Sequence, residues 1–124
     1  MMVPLGDSRG RACWLLEASR DPLLLAVKFE GTVRVMDGLC PHADAPMALA
    51  RIAHGDVVCP LHWWRFDPRT GAGLTDPAAP LRMYDVVLMD GVPHADIPDG
   101  TRSLNRLSRG PRPVPEPGRR SARH

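Results

Sequence analysis

Two short segments, each containing one cysteine and one histidine, constrain this chain more than any other feature of its sequence. In both, proline follows the cysteine: Cys40-Pro41-His42 and Cys59-Pro60-Leu61-His62. Proline disfavours the α region for the residue before it, so both segments are predicted to be loops that begin where a strand ends. Two such loops lying side by side would offer two sulfur atoms and two imidazole nitrogens to one bound centre.

Short apolar runs separated by closely spaced turn signals predict an all-β fold. Asp37-Gly38 and Asp90-Gly91 are dipeptides typical of tight turns, and Pro93 would confine the last strand to a sheet edge. The predicted strands are residues 12–17, 23–29, 32–36, 57–59, 84–89 and 92–95. This pattern indicates a small antiparallel sandwich or barrel.

The charge of the chain divides it into two parts. Residues 1–100 carry nine basic and thirteen acidic side chains, a net charge of −4, whereas residues 101–124 carry seven arginines and one glutamate, a net charge of +6. Four prolines also fall in the basic part, which has few large apolar residues to bury. We therefore expect one domain over residues 1–98 and a disordered Arg/Pro-rich tail over residues 99–124.

Composition also excludes several classes of protein. No apolar stretch approaches the roughly 20 residues of a membrane-spanning helix, and the first residues do not resemble a signal peptide, so a cytoplasmic protein is expected. Nucleic-acid binding is not expected, because the basic tail has no aromatic residue to stack on bases. Three cysteines are too few for a disulfide framework, and Cys13 is interpreted as a buried side chain on the first strand.

Two kinds of centre fit two cysteines and two histidines. Zinc accepts this donor set in a tetrahedron, although its usual sites place the two cysteines together and the two histidines together. A [2Fe-2S] cluster with two cysteines on one iron and two histidines on the other is the alternative. The ligand types alone leave both open.

The sequence resembles the Rieske iron–sulfur proteins, and within them the soluble Rieske-type ferredoxins. The matching motifs are Cys40-Pro41-His42-Ala43, Ala45-Pro46-Met47, Val58-Cys59-Pro60-Leu61-His62, Trp64, Phe66-Asp67 and Thr70-Gly71. The resemblance implies one [2Fe-2S] cluster per chain, held in a subdomain of two loops. It assigns Cys40 and Cys59 to one iron through sulfur, and His42 and His62 to the other through Nδ1.

Departures from the high-potential members of that family concern the same loops. Ala45 and Leu61 stand where those members have cysteines that join the loops, and Trp64 stands where they have a hydroxyl near the cluster. The resemblance therefore implies a potential at the low end of about −150 to +300 mV. Trp64 and Phe66 are expected to pack beneath the second loop, whereas Trp63 fits either local packing or docking of a partner.

The function implied by the resemblance is electron transfer without catalysis. Such a chain would carry single electrons from a flavin-containing ferredoxin reductase to a terminal oxygenase. One alternative is a small subunit or detached domain of a larger oxidoreductase, such as a nitrite-reductase-like or oxygenase assembly. A structural zinc module that binds other proteins is a third hypothesis, from a different class.

Overall fold

The computed structural model describes residues 1–41, 45–60 and 63–103, and these residues form strands and turns without a helix. The all-β prediction is thus confirmed. The strands are β1 (Met2–Pro4), β2 (Cys13–Arg20), β3 (Leu23–Phe29), β4 (Thr32–Asp37), β5 (Leu39–Cys40), β6 (Ala45–Pro46), β7 (Arg51–Ala53), β8 (Asp56–Val58), β9 (Arg65–Phe66), β10 (Met83–Met89) and β11 (Val92–Asp96). Within the described ranges, no helix has the length and apolar character needed to cross a membrane.

Six strands form one antiparallel sheet in the order β1-β11-β10-β4-β3-β2. The sheet curls until its outer strands approach each other, and the Trp14 indole N–H on β2 donates a hydrogen bond of 2.8 Å to the carbonyl of Leu5, just after β1. Closing the sheet in this way protects strand edges that would otherwise be exposed. The sequence pattern had not predicted β1, which is only three residues long.

Side chains of strand β3 pack into two separate cores, because successive side chains on a strand point to opposite faces. Leu24 and Ala26 pack with the apolar residues of β1 and β11, while Leu25 and Val27 pack towards the segment between β4 and β10. That segment contains the pair β5–β6 and the sheet β7-β8-β9. Its buried residues form the second of the two cores jointly with residues of β2, β3 and β4.

Two predictions about turns and edges were wrong. Strand β11 is not an edge, because it pairs with both β1 and β10. Pro93 is tolerated there because it lies one residue beyond the short ladder with β1, where Leu5 N donates to its carbonyl. Asp37-Gly38 does not form a hairpin turn, because β4 pairs with β3 and β10 whereas β5 pairs with β6. Asp37 is buried, and a Cβ on Gly38 would lie 3.0 Å from a side-chain atom of Leu15 and a backbone atom of Leu24.

The last described residues are hydrogen-bonded to the turn between β2 and β3. Ser103 is buried, its backbone N–H donates to Asp21 at 2.7 Å, and its hydroxyl accepts from the backbone N–H of Leu23 at 2.8 Å. Residues 99–103 of the predicted tail therefore contact the domain. Residues 104–124 lie outside the described residues, and the boundary at residue 98 stays a prediction.

Candidate metal centre

The first loop starts from Cys40, at the end of β5. Cys40 is fully buried and pairs with Ala45 of β6, so the chain leaves and returns between two very short strands. Met47 follows, fully buried, and its backbone N–H donates to the carbonyl of Gly38 at 2.8 Å. This hydrogen bond closes the base of the loop. His42, with Ala43 and Asp44, lies outside the described residues.

The second loop is closed by hydrogen bonds to both backbone groups of Cys59, directly after β8. The Cys59 N–H donates to the carbonyl of Trp64 at 2.8 Å, and the N–H of Trp63 donates to the Cys59 carbonyl at 3.0 Å. Trp63 adopts a positive φ of 61°, which turns the chain back into β9. His62, with Leu61, lies outside the described residues. The backbone of Cys59 is therefore fixed from both directions.

Both predicted cysteine ligands belong to one buried apolar cluster. Cys40 and Cys59 share it with Trp64 and Phe66, which were expected beneath the second loop and are buried there. The other buried members are Cys13, Leu25, Val27, Met36, Met47, Ala50, Val57 and Leu81. The fold thus places both cysteines, nineteen positions apart in the sequence, in the same buried cluster.

Cys13 shows what this environment does to a thiol. It lies on β2, the second strand rather than the first, and burial raises the pKa of its thiol to about 11, with the charge of Arg11 opposing the shift. An apolar core disfavours the thiolate, which is the form that binds a metal. A bound iron would supply the compensating positive charge, and two buried cysteines beside two loops fit the sulfur half of a [2Fe-2S] ligand set.

Two further histidines, His54 and His94, lie in the described ranges. His54 occupies the turn between β7 and β8 with a φ of 53°. The Nδ1 atom of His94 on β11 lies 2.8 Å from the carbonyl of Val92. Within the described ranges, no three His, Cys, Asp or Glu side chains converge as they would around a metal ion. The prediction of His42 and His62 as ligands therefore depends on the sequence.

A buried carboxylate stabilises the point where β4 leads into the first loop. Asp37 accepts hydrogen bonds from the Arg82 guanidinium at 2.9 Å and from the Tyr84 hydroxyl at 2.7 Å. Burial, then the hydrogen bond to Asp37 and its negative charge, raise the pKa of Tyr84 far above its ordinary value. The sequence did not predict this network, because it depends on the register between β4 and β10. These two strands are far apart in the sequence.

Arg65 stabilises the strands on either side of the second loop. Its guanidinium forms an ion pair with Asp56 at 2.9 Å and donates to the carbonyl of Ala53 at 3.0 Å. Its backbone N–H donates to the hydroxyl of Thr75 at 2.9 Å. One side chain therefore joins all three strands of the small sheet, and alternation along β9 gave no signal for it because that strand has only two residues.

Two glycines let the segment after β9 pass close to neighbouring backbone. A Cβ on Gly71 would lie 2.2 Å from the carbonyl oxygen of Leu81, and Gly71 also has a φ of 78°. A Cβ on Gly73 would lie 2.1 Å from the carbonyl oxygen of Asp76. Real side chains cannot approach so closely, so these positions require glycine, in agreement with the Thr70-Gly71 motif.

Trp63 is exposed over 60% of its surface. The guanidinium carbon of Arg51 lies 4.8 Å from the centroid of its ring, which is a cation–π distance. Trp63 therefore packs locally against Arg51 at the surface, and docking of a partner on its exposed ring stays a prediction. The exposed ring remains available to a partner.

Comparisons with known proteins agree with this architecture. A family model described as the Rieske [2Fe-2S] domain matches residues 9–85. The ferredoxin subunit of anthranilate 1,2-dioxygenase from Burkholderia cepacia is 39% identical over 57 residues, which cover 45% of this chain and 53% of that protein. The chain thus spans about half the length of the curated relatives it matches.

Solved structures share the fold over a longer range. A ferredoxin from Sphingomonas yanoikuyae B1 has a TM-score of 0.66 at 26% identity, covering 79% of this chain and all of that one. The ferredoxin of carbazole 1,9a-dioxygenase from Nocardioides aromaticivorans IC177 has a TM-score of 0.63 at 26% identity, covering 77% of this chain and 96% of that one. Fold, motif spacing and family match together show that the chain belongs to the Rieske [2Fe-2S] domain family.

Proposed function

We propose that this chain is a one-electron carrier that binds one [2Fe-2S] cluster through Cys40, His42, Cys59 and His62. The observation that carries the proposal is the pair of buried cysteines, each next to a loop with a histidine, in a chain matched by the Rieske model. When bound, a cluster with this ligand set supplies a one-electron couple. The residues of the chain hold it and control its surroundings.

The buried cluster of apolar side chains gives those residues a dry and rigid support. Trp64 and Phe66 exclude water from beneath the second loop, and the backbone hydrogen bonds of Cys59 fix the direction of its side chain. The ion pair of Arg65 with Asp56 holds the strands that lead into that loop. Rigid ligands limit the rearrangement that accompanies a change of charge, which favours fast electron transfer.

The partners are proposed from the relatives. Those relatives are ferredoxin components of anthranilate and naphthalene dioxygenase systems and of an alkene monooxygenase system. A terminal oxygenase is therefore the proposed electron acceptor, and a flavin-containing ferredoxin reductase is the proposed donor. We place this exchange in the cytoplasm, where three cysteines without a disulfide framework would stay reduced.

A native pull-down distinguishes a free carrier from a fixed subunit. The tagged full chain is isolated from cells that express it naturally, and the complex is measured by size-exclusion chromatography with mass determination. We expect the chain to elute alone, because carriers of this type use small, short-lived interfaces. Stable stoichiometric capture of a large oxidoreductase subunit would instead support the subunit alternative and overturn the free carrier.

A further inference from the structure

Two exposed apolar side chains and two exposed arginines lie on or next to the segments that flank the two loops. Leu49 is 68% exposed and lies between the first loop and β7, while Trp63 is 60% exposed and directly follows His62 in the second loop. Arg51, two residues after Leu49, stacks on the Trp63 ring. Arg11 reaches across from the start of β2 and donates to the carbonyl of Ala48 at 2.6 Å. We call these four residues the Trp63 patch.

The charge of this patch differs from that of the domain around it. Among the described residues, five arginines lie within 4.0 Å of a carboxylate: Arg9, Arg65, Arg69, Arg82 and Arg102. Three exposed arginines do not, namely Arg11, Arg20 and Arg51, and two of these three lie in the patch. Their guanidinium groups therefore present positive charge on a domain whose first 100 residues have a net charge of −4.

The composition of the patch is that of a protein interface. Tryptophan and arginine are the residue types most enriched among those that dominate binding energies, and an exposed ring flanked by cations favours a partner that offers carboxylates. Trp63 is also held in place before docking, by the backbone hydrogen bond to Cys59 and by the stacked guanidinium. A side chain held in this way loses less conformational freedom on binding.

We propose that the Trp63 patch is the docking surface through which electrons leave the chain, and that it fits an acceptor surface with an apolar recess and a rim of carboxylates. This inference rests on the proposed function, because it requires that the chain carry electrons. It reverses the expectation from net charge alone, by which an acidic domain would dock on a basic partner.

Two inorganic oxidants of opposite charge test the proposal. Hexacyanoferrate(III) is an anion and hexaamminecobalt(III) is a cation, and each accepts one electron from the reduced holoprotein. Stopped-flow oxidation rates are compared for the wild type, R51E and the double variant R11E/R51E at low ionic strength. We expect the double variant to react about fivefold more slowly with the anion and faster with the cation, because charges act over roughly 10 Å before salt screens them.

The matched control for R51E is R20E, which makes the same charge change on an exposed arginine at the opposite end of β2 from Arg11. Cys13 lies opposite Val27 and Arg20 opposite Leu23 on β3, four residue steps or roughly 13 Å apart, so the rates of R20E should change less than those of R51E. A second variant, W63A, separates the effect of charge from that of access. Because the ring is neutral, its removal should change the oxidation rates with both oxidants in the same direction.

The outcomes are distinct. If R11E/R51E changes both rates no more than R20E does, or moves both in the same direction as W63A, electrons do not leave through a basic patch and the inference is overturned. A wild-type chain that is isolated without a reducible cluster would instead overturn the proposed function. High salt should abolish the difference between the two oxidants if the effect is electrostatic.

Discussion

The three cysteines share one apolar cluster, and their backbone settings indicate different roles. Cys13 lies in a long strand, where its thiol is one of many buried side chains. Cys40 is the last residue of β5 and Cys59 directly follows β8, each directly before a proline and within three residues of a histidine. This difference could be predicted from the sequence, because proline and the Cys-to-His spacing mark both loops without any knowledge of tertiary contacts.

Replacing each cysteine by serine tests this division of roles. We expect Cys40→Ser and Cys59→Ser to lose iron and acid-labile sulfide, because each removes a sulfur donor. The measurement is iron and sulfide per chain after anaerobic purification, together with the visible absorption spectrum. Cys13→Ser is the matched control in the same cluster and should keep its iron, at a stability cost of about 1–3 kcal/mol for the buried hydroxyl. Loss of iron in C13S alone would contradict the assignment.

The buried thiol of Cys13 also predicts a pH dependence. Its pKa is about 11 in the folded chain but near 9 when unfolded, so between these values the unfolded state has already lost a proton that the folded state keeps. The free energy of unfolding should therefore fall as pH rises from 9 to 11, by about 2–3 kcal/mol from this group. Urea unfolding of the wild type and Cys13→Ala at both pH values checks this. An equal fall in both proteins would show that Cys13 does not contribute.

At the scale of secondary-structure elements, the loops are held by contacts between strands that are distant in sequence. Asp37 at the end of β4 binds Arg82 and Tyr84, and Arg65 on β9 joins β7 and β8. The longer strands could be predicted from their apolar runs and turns. Five short strands, β1, β5, β6, β7 and β9, could not, because each contains too few residues for a period and exists through tertiary packing.

The close approach of backbone at Gly71 predicts that the segment between β9 and β10 tolerates no side chain at this position. Gly71→Ala places a methyl group against the carbonyl of Leu81 and should lower the free energy of unfolding by about 2–4 kcal/mol, from crowding and positive φ together. Gly91→Ala is the matched control: its φ is also 78°, but nothing lies within 4 Å of the added Cβ. It should cost about 1 kcal/mol. Equal losses in urea unfolding would mean that only the backbone angle matters.

For the molecule as a whole, the sequence predicted the fold class and the family but not the surface. Net charge suggested an acidic docking surface, whereas Arg11 and Arg51 beside Trp63 present the opposite charge, because the side chains that neutralise other arginines are absent around them in the described part of the chain. Pairing of surface charges depends on three-dimensional neighbours. Composition alone could not reveal it.

Truncation tests where the domain ends. A chain of residues 1–106 keeps the hydrogen bonds of Ser103 to Asp21 and Leu23, and its free energy of unfolding should match that of the full chain within about 0.5 kcal/mol. A chain of residues 1–98 loses them and should be about 1–3 kcal/mol less stable, while keeping its iron. Urea unfolding and iron content of both chains check this. Loss of iron in the shorter chain would place the boundary after residue 98.

The most direct test of the central claim is the number of electrons and metal atoms that one chain holds. The full chain is purified without oxygen, and its iron, zinc and acid-labile sulfide are counted together with the electrons taken up in a reductive titration. A carrier with one [2Fe-2S] cluster should contain about two irons and two sulfides and accept about one electron per chain. A colourless protein with about one zinc, no sulfide and no electron uptake would contradict it and support a structural zinc module.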